Sequence, residues 1–340
     1  MATLTVKNLF KHYKNAKYIS ARNISFEVKE GEIFGFLGIN GAGKSTTIKC
    51  ITGITPFTSG TIEICGHDIK TSPYEAKKSF GFVPDNHAVY DKLTGVEYVN
   101  YLADLYGVSM EERKATFNKL VDIFNMRKAV NNQIMSYSHG MKQKISIIGA
   151  LIHSPKLWIL DEPMVGLDPQ SIVEVKNYMK EYAKAGNSVF FSSHTLETVE
   201  RICDRAVIIH GGRKIKEIDL AEFRKTGKDL EEEFIALTQK YTKIQNEQHA
   251  ALKGKEERLA KRFGKKKANK MIIKKIKNER EDAIANQDKP EAVIDYSNDD
   301  DIESLIEEKG KKTKEPVILD PMAFDGSTKK KKKKKGDLLE

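Results

Sequence analysis

The sequence predicts an α/β fold: a mostly parallel β-sheet, an antiparallel strand layer at the N-terminus and an inserted α-helical subdomain. Three observations carry this expectation. The first segment alternates short apolar runs with polar turns, the middle spaces its apolar residues at helical intervals, and the rest alternates strand-length apolar runs with helical stretches.

Taken in order, residues 1–35 supply the runs LTVKNLF, ISFEV and EIFGFLG, with KEGE as a turn. A helix containing TTIKCITG follows and ends at Gly53. TIEIC (61–65) reads as a strand turned at Gly66, and FGFVP (80–84) as a short strand stopped by Pro84. Residues 95–150 are mainly helical. In GVEYVNYLADLYG the residues Val96, Val99, Leu102, Ala103 and Tyr106 share one helical face, and MEERKATFNKLVDIF repeats the pattern. Ser138 is suited to cap a further helix, and the backbone N–H groups at a Ser138-His139-Gly140 start suit an anion. LWIL, SVFF and AVIIH have the length and composition of buried strands, separated by helices. LEEEFIALTQ closes the core as a last helix, which puts a boundary near residue 239.

Composition supports that boundary. The 340 residues carry 58 Lys/Arg and 48 Asp/Glu, a net charge of +10. Residues 1–239 hold 31 basic against 28 acidic side chains, whereas residues 240–340 hold 27 against 20, so the second segment is far more charged per residue. Residues 240–285 are helix-compatible with a weak apolar stripe. Residues 286–340 mix acidic clusters with a seven-lysine run at 329–335 and have the composition of a disordered segment. The expected domains are therefore 1–239, with a helical subdomain at about 86–150, and a charged tail at 240–340. No run approaches the length of a membrane span, and MATLTVKNLF lacks the features of a secretory signal. Cys50, Cys65 and Cys203 form no CxxC pair, which suits reduced thiols in a cytosolic protein.

GINGAGKST (38–46) fits G-x-x-x-x-G-K-[ST] through Gly38, Gly43, Lys44 and Ser45, after an apolar strand and at a helix start. Glycines let several backbone N–H groups approach phosphate oxygens, Lys44 adds a charge near the β- and γ-phosphates, and the Ser45 hydroxyl suits Mg²⁺. This makes the core a P-loop NTPase. In KLWILDEP (156–163) an apolar strand ends in two carboxylates: Asp161 suits the Mg²⁺ site, and Glu162, projecting differently, suits an attacking water.

In this order, the P-loop, the SHG helix start, LDEP and FSSH resemble the nucleotide-binding subunit of ATP-binding cassette (ABC) transporters, over residues 3 to about 239. The resemblance implies an ATPase with ATP and Mg²⁺ as its ligands. It implies that Tyr13, with Tyr18 as a nearby competitor, stacks on adenine. It assigns Gly38, Asn40, Gly41, Ala42, Gly43, Lys44, Ser45 and Thr46 to the phosphates, and Ser45, Asp161 and Asp85 to the metal. Glu162 becomes the catalytic carboxylate and His194 the switch histidine; Gly166, Leu167 and Asp168 become the loop that communicates across a dimer. Tyr137, Ser138, His139, Gly140 and Met141 stand where the family has Leu-Ser-Gly-Gly-Gln, the signature that binds the γ-phosphate held by a second subunit. Two departures stand out. His139 replaces a glycine, at little cost if its φ is negative and about 1 kcal/mol otherwise. Asp85 replaces a glutamine, adding negative charge near phosphate.

The resemblance further implies a second ATP-binding subunit, identical or not, and an integral membrane permease, with the chain peripheral on the cytoplasmic face of the plasma membrane. FVPDNHAVYDKLTGVEYVNYLADLYG and LEEEFIALT look like the exporter branch that serves multidrug, peptide, lipid or polysaccharide transport. The rival within the family is a soluble ATPase acting on ribosomes or DNA. Against it, one P-loop is present, and Ser45 and Ser138 are too close for the long coiled coil of DNA-repair relatives. The lysine run suits anionic lipid at a membrane surface. A coiled coil with a partner helix is another role open to the tail. Nucleic acid is not the expected partner, because no aromatics accompany the lysines for base stacking.

Overall fold

The computed structural model describes residues 1–13, 19–86 and 89–264. Tyr18 and the lysine run therefore lie outside the described residues. Two sheets form the framework. Strands β1 (Ala2–Lys11), β2 (Ala21–Lys29), β4 (Ser59–Ile64) and β5 (His67–Asp68) make an antiparallel sheet in the order β2-β1-β4-β5. The larger sheet contains β3 (Ile33–Leu37), β6 (Phe80–Val83), β7 (Leu157–Leu160), β8 (Ser188–Ser193), β9 (Arg205–His210) and β10 (Arg213–Asp219). Its order is β10-β9-β3-β8-β7-β6, parallel except for β10. The third strand of the N-terminal segment thus belongs to the parallel sheet and not to the antiparallel layer.

Continuous apolar runs let the central strands bury both faces. In β3, Ile33 and Leu37 face one core while Phe34 and Phe36 face the other. Strand β7 divides likewise, Trp158 and Leu160 against Leu157 and Ile159. Between the sheets, Phe26, Phe34, Phe36 and Phe190 pack ring on ring at 5.4–6.2 Å. The opposite face is covered by helices, among them α3 (Gly95–Leu105), α4 (Met110–Ile123), α5 (His139–Leu151) and α6 (Pro169–Lys184). Helices α3 and α4 open with capping boxes, Thr94 with Glu97 and Ser109 with Glu112.

Two smaller helices, α1 (Lys44–Ile51) and α2 (Pro73–Lys78), precede this layer, and α7 (Leu196–Ile202) and α8 (Leu220–Lys225) follow it. Strand β10 escapes a pattern reading because RKIKEID is mostly charged. It lies at the sheet edge, where charged side chains reach water. The helix expected to close the core near residue 239 does not stop there: α9 runs continuously over Leu230–Phe263.

Candidate functional site

The site forms at the carboxyl ends of neighbouring parallel strands, where an open α/β sheet leaves a crevice. Strand β3 leads into the P-loop, β8 into His194, β7 into Asp161 and Glu162, and β6 through Pro84 into Asp85. The register aligns these ends: Leu37 pairs with Ser193, Leu160 with Phe191, and Val83 with Leu160. Main-chain bonds extend the alignment beyond the strands. Gly38 N–H donates to Ser193 O (3.3 Å) and Asp161 N–H to Val83 O (3.0 Å).

A cleft of about 570 Å³ lies along these ends, lined by Asn40, Gly41, Ala42, Gly43, Lys44, Ser45 and Thr46, with Asp85 and Glu162 at one side. Helix α1 opens at Gly43 without a side-chain cap and with no acid in its first turn. Its first N–H groups therefore remain available to an anion. Gly43 has φ +105°, and a Cβ there would collide with Ser20 O, so the loop can take this shape only with glycine.

Lys44 is buried, and its ammonium is fully engaged: it donates to Gly38 O (2.8 Å) and Ile39 O (3.3 Å) and lies 3.0 Å from Glu162 Oε1. The other carboxylate oxygen of Glu162 accepts from His194 Nδ1 at 2.8 Å, so that nitrogen carries a proton. Glu162 has φ +52°, a conformation that non-glycine residues rarely adopt. Its N–H donates to Ser192 Oγ (2.9 Å), and the Ser192 hydroxyl donates to Asp161 Oδ1 (2.6 Å). Ser192 thus ties the two acids together. A pattern reading of FSSH draws attention to the histidine, although strand alternation shows that a residue two before it points to the same side.

Asp161 is 1 % exposed, and its Oδ2 has no hydrogen-bond partner. Burial raises its pKa above the usual carboxylate value; the Ser192 and Ser45 hydroxyls favour the charged form, while Asp85 and Glu162 oppose it. An orphaned carboxylate oxygen beside a serine hydroxyl and a second acid is the donor set of a hard cation, so these residues fit Mg²⁺.

Helix α5 opens at Ser138, whose hydroxyl accepts from Met141 N–H (3.3 Å). His139 and Gly140 both have helical backbone, so His139 carries no left-handed strain. The His139 ring lies against the Cα of Gly166, which has φ +76°; a Cβ on Gly166 would overlap the ring. Asp168 caps α6 by accepting from Ser171 N–H (3.0 Å), and the Ser171 hydroxyl beside it holds its carboxyl below the usual range. Ser138 and His139 are exposed and stand outside the cleft lining of their own chain. Tyr13 also stands outside that lining, with Lys11 Nζ 4.4 Å from its ring centre. On the far side, the lining includes His210, Gly212 and Asn246, which pattern reasoning does not single out.

The family model described as "ABC transporter" matches residues 21–165. The chain is 39% identical over 212 residues to the linearmycin resistance ATP-binding protein LnrL of Bacillus subtilis, covering 62% of this chain and 68% of that protein. It is 37% identical over 224 residues to the ABC-type transporter ATP-binding protein EcsA of the same organism, covering 66% of this chain and 90% of that one. A solved structure titled as the ATP binding subunit of an ABC transporter superposes with a TM-score of 0.65 at 34% identity, covering 69% of this chain and 99% of that one.

Proposed function

The chain belongs to the ATP-binding subunits of ABC transporters, ATPases that couple hydrolysis to transport, and from that premise we propose how its own residues perform the reaction. The observation that carries the proposal is the meeting of Lys44, Glu162 and His194 within 3.0 Å contacts beside the P-loop.

ATP lays its phosphates on the N–H groups of Gly41 to Thr46. Its γ-phosphate draws Lys44 away from Glu162, because a polyanion competes with a single carboxylate for the ammonium. Glu162 is then a free acceptor on the side facing the γ-phosphate. It polarises a water and takes its proton as the water oxygen attacks γ-phosphorus in line and the bond to the bridging β,γ-oxygen breaks. His194 holds the water and the γ-phosphate in register. Lys44 and the P-loop N–H groups stabilise the charge that develops. Ser45, Asp161 and Asp85 would hold Mg²⁺, which when bound neutralises phosphate charge.

Because Ser138 and His139 stand at an exposed helix start outside their own cleft, we assign them to the γ-phosphate held by a second ATP-binding subunit, another copy or a paralogue. The same reading gives the subunit a membrane permease as partner and a peripheral place on the cytoplasmic face of the plasma membrane. An apolar surface suits that contact: exposed Tyr90 and Tyr101 meet edge to face at 5.5 Å, and exposed Leu105 lies one turn along α3 from Tyr101. Similarity to a resistance protein and the exporter-like sequence between Phe82 and Gly107 favour export. Residues 1–239 are assigned to this ATPase work, with residues 86–150 facing the permease.

Glu162→Gln is expected to abolish steady-state ATP turnover while ATP binding persists, and Lys44→Ala to lose ATP binding. Wild-type turnover in the first variant would remove Glu162 from the mechanism; unchanged affinity in the second would remove Lys44 from the phosphate site.

A further inference from the structure

The mechanism above uses nothing beyond residue 239, yet α9 does not leave the core there. Its foot is apolar: Leu230 and Phe234 are buried, and Lys216 Nζ lies 2.5 Å from Glu233. One helical face continues at four-residue spacing through Phe234, Thr238, Thr242 and Asn246. Along that face the chemistry changes from apolar to polar. The Thr242 hydroxyl donates to Thr238 O (2.7 Å) and, having one proton, accepts from His210 Nε2 (3.2 Å). About 6 Å further along the axis, Asn246 lines the P-loop cleft.

His210 ends β9, and the turn that follows it rests on the P-loop. Gly212 N–H donates to Ala42 O (2.9 Å), and Arg22 N–H donates to Gly212 O (2.6 Å). Strand order places β9 on one side of β3, and β8, β7 and β6 on the other. A triphosphate whose γ-phosphate points to Glu162 and His194 therefore directs its ribose and base the opposite way. That end of the cleft is bounded by Ile19, Ser20, His210, Gly212 and Asn246.

We propose that α9 is a wall of the nucleoside end of the ATP site and that Asn246 is a specificity-determining residue, its carboxamide hydrogen-bonding the ribose or base. The inference rests on the P-loop reading above. Thr242 and His210 act as positioning residues that hold this turn of α9 at the cleft. Binding of nucleotide and docking of α9 are consequently linked, each favouring the other.

The test compares two ligands on the full chain: ATP, and inorganic tripolyphosphate, which lacks the nucleoside. Asn246 is exposed, so Asn246→Ala is compatible with the fold, and an unchanged melting midpoint verifies this. Loss of one hydrogen bond should weaken ATP about three- to tenfold in Kd and leave tripolyphosphate unchanged. Thr242→Val should produce a smaller loss in the same direction, again for ATP alone. Equal ATP affinity in Asn246→Ala and wild type would overturn the inference, as would equal losses for both ligands. Failure of the wild-type chain to bind either ligand would instead overturn the P-loop reading, and so separates the two.

Discussion

Glu162 and Asp161 are sequence neighbours with opposite physical problems. Glu162 holds φ +52°, which costs a non-glycine residue about 1–2 kcal/mol, and it is kept there by Ser192, Lys44 and His194. Asp161 keeps ordinary backbone but suffers burial, which lifts its pKa above that of the unfolded chain. A raised carboxyl pKa favours folding when protonated, and that contribution is lost as pH rises through the folded value. At neutral pH the ionised Asp161 therefore opposes folding of the nucleotide-free chain. Asp161→Asn, which keeps an acceptor for Ser192, should raise the thermal midpoint without nucleotide and abolish any further rise on adding Mg²⁺ and ATP. Calorimetry of the two proteins checks this; a lower midpoint in the variant would contradict the burial argument. At the signature, the ring contact between His139 and Gly166 shows how a side chain is accommodated where the family has none: the neighbouring loop supplies a glycine to receive it.

At the scale of elements, the end of α5 is fastened to β6 by a histidine. His153 follows α5, donates from Nε2 to Phe80 O (3.2 Å) and stacks on Tyr106 at 3.6 Å. Burial depresses its pKa to about 4, and its Nδ1, where a second proton would go, has no partner. A depressed histidine stays neutral in the fold while the unfolded chain takes up a proton near pH 6.5. Stability is then lost as pH falls from about 6.5 to about 4, by up to about 3 kcal/mol. Urea midpoints across that range should fall more steeply in wild type than in His153→Gln; parallel curves would refute the assignment. This fastening matters to the site because β6 ends beside Asp85, while α5 begins at Ser138. One helix therefore connects the metal side of the cleft to the surface assigned to a second subunit.

For the whole molecule, the proposed closed state needs two chains, since Ser138 is exposed and stands outside the lining of its own P-loop cleft. In a Glu162→Gln background, ATP should move the protein from monomer to dimer on size exclusion. Adding Ser138→Arg should return it to monomer while the P-loop of the monomer still binds ATP; a dimer of undiminished yield would place the interface elsewhere. The P-loop, the LDEP acids and the histidine of FSSH were legible without a structure, because each is a strand followed at once by a chemically distinctive turn. The α/β class and the parallel sheet were legible for the same reason, as continuous apolar runs alternating with helical periods. Other features were not. The order β3-β8-β7-β6 differs from chain order, and it alone makes neighbours of Lys44, His194, Glu162 and Asp85. The link through Ser192, the left-handed Glu162, the charged edge strand β10 and the course of α9 past residue 239 depend equally on distant partners. Apolar strands that bury both faces carry no mark of which strand lies beside which. Local chemistry was therefore determined by the sequence read as a string, and the company each group keeps was decided only when long-range packing chose a register.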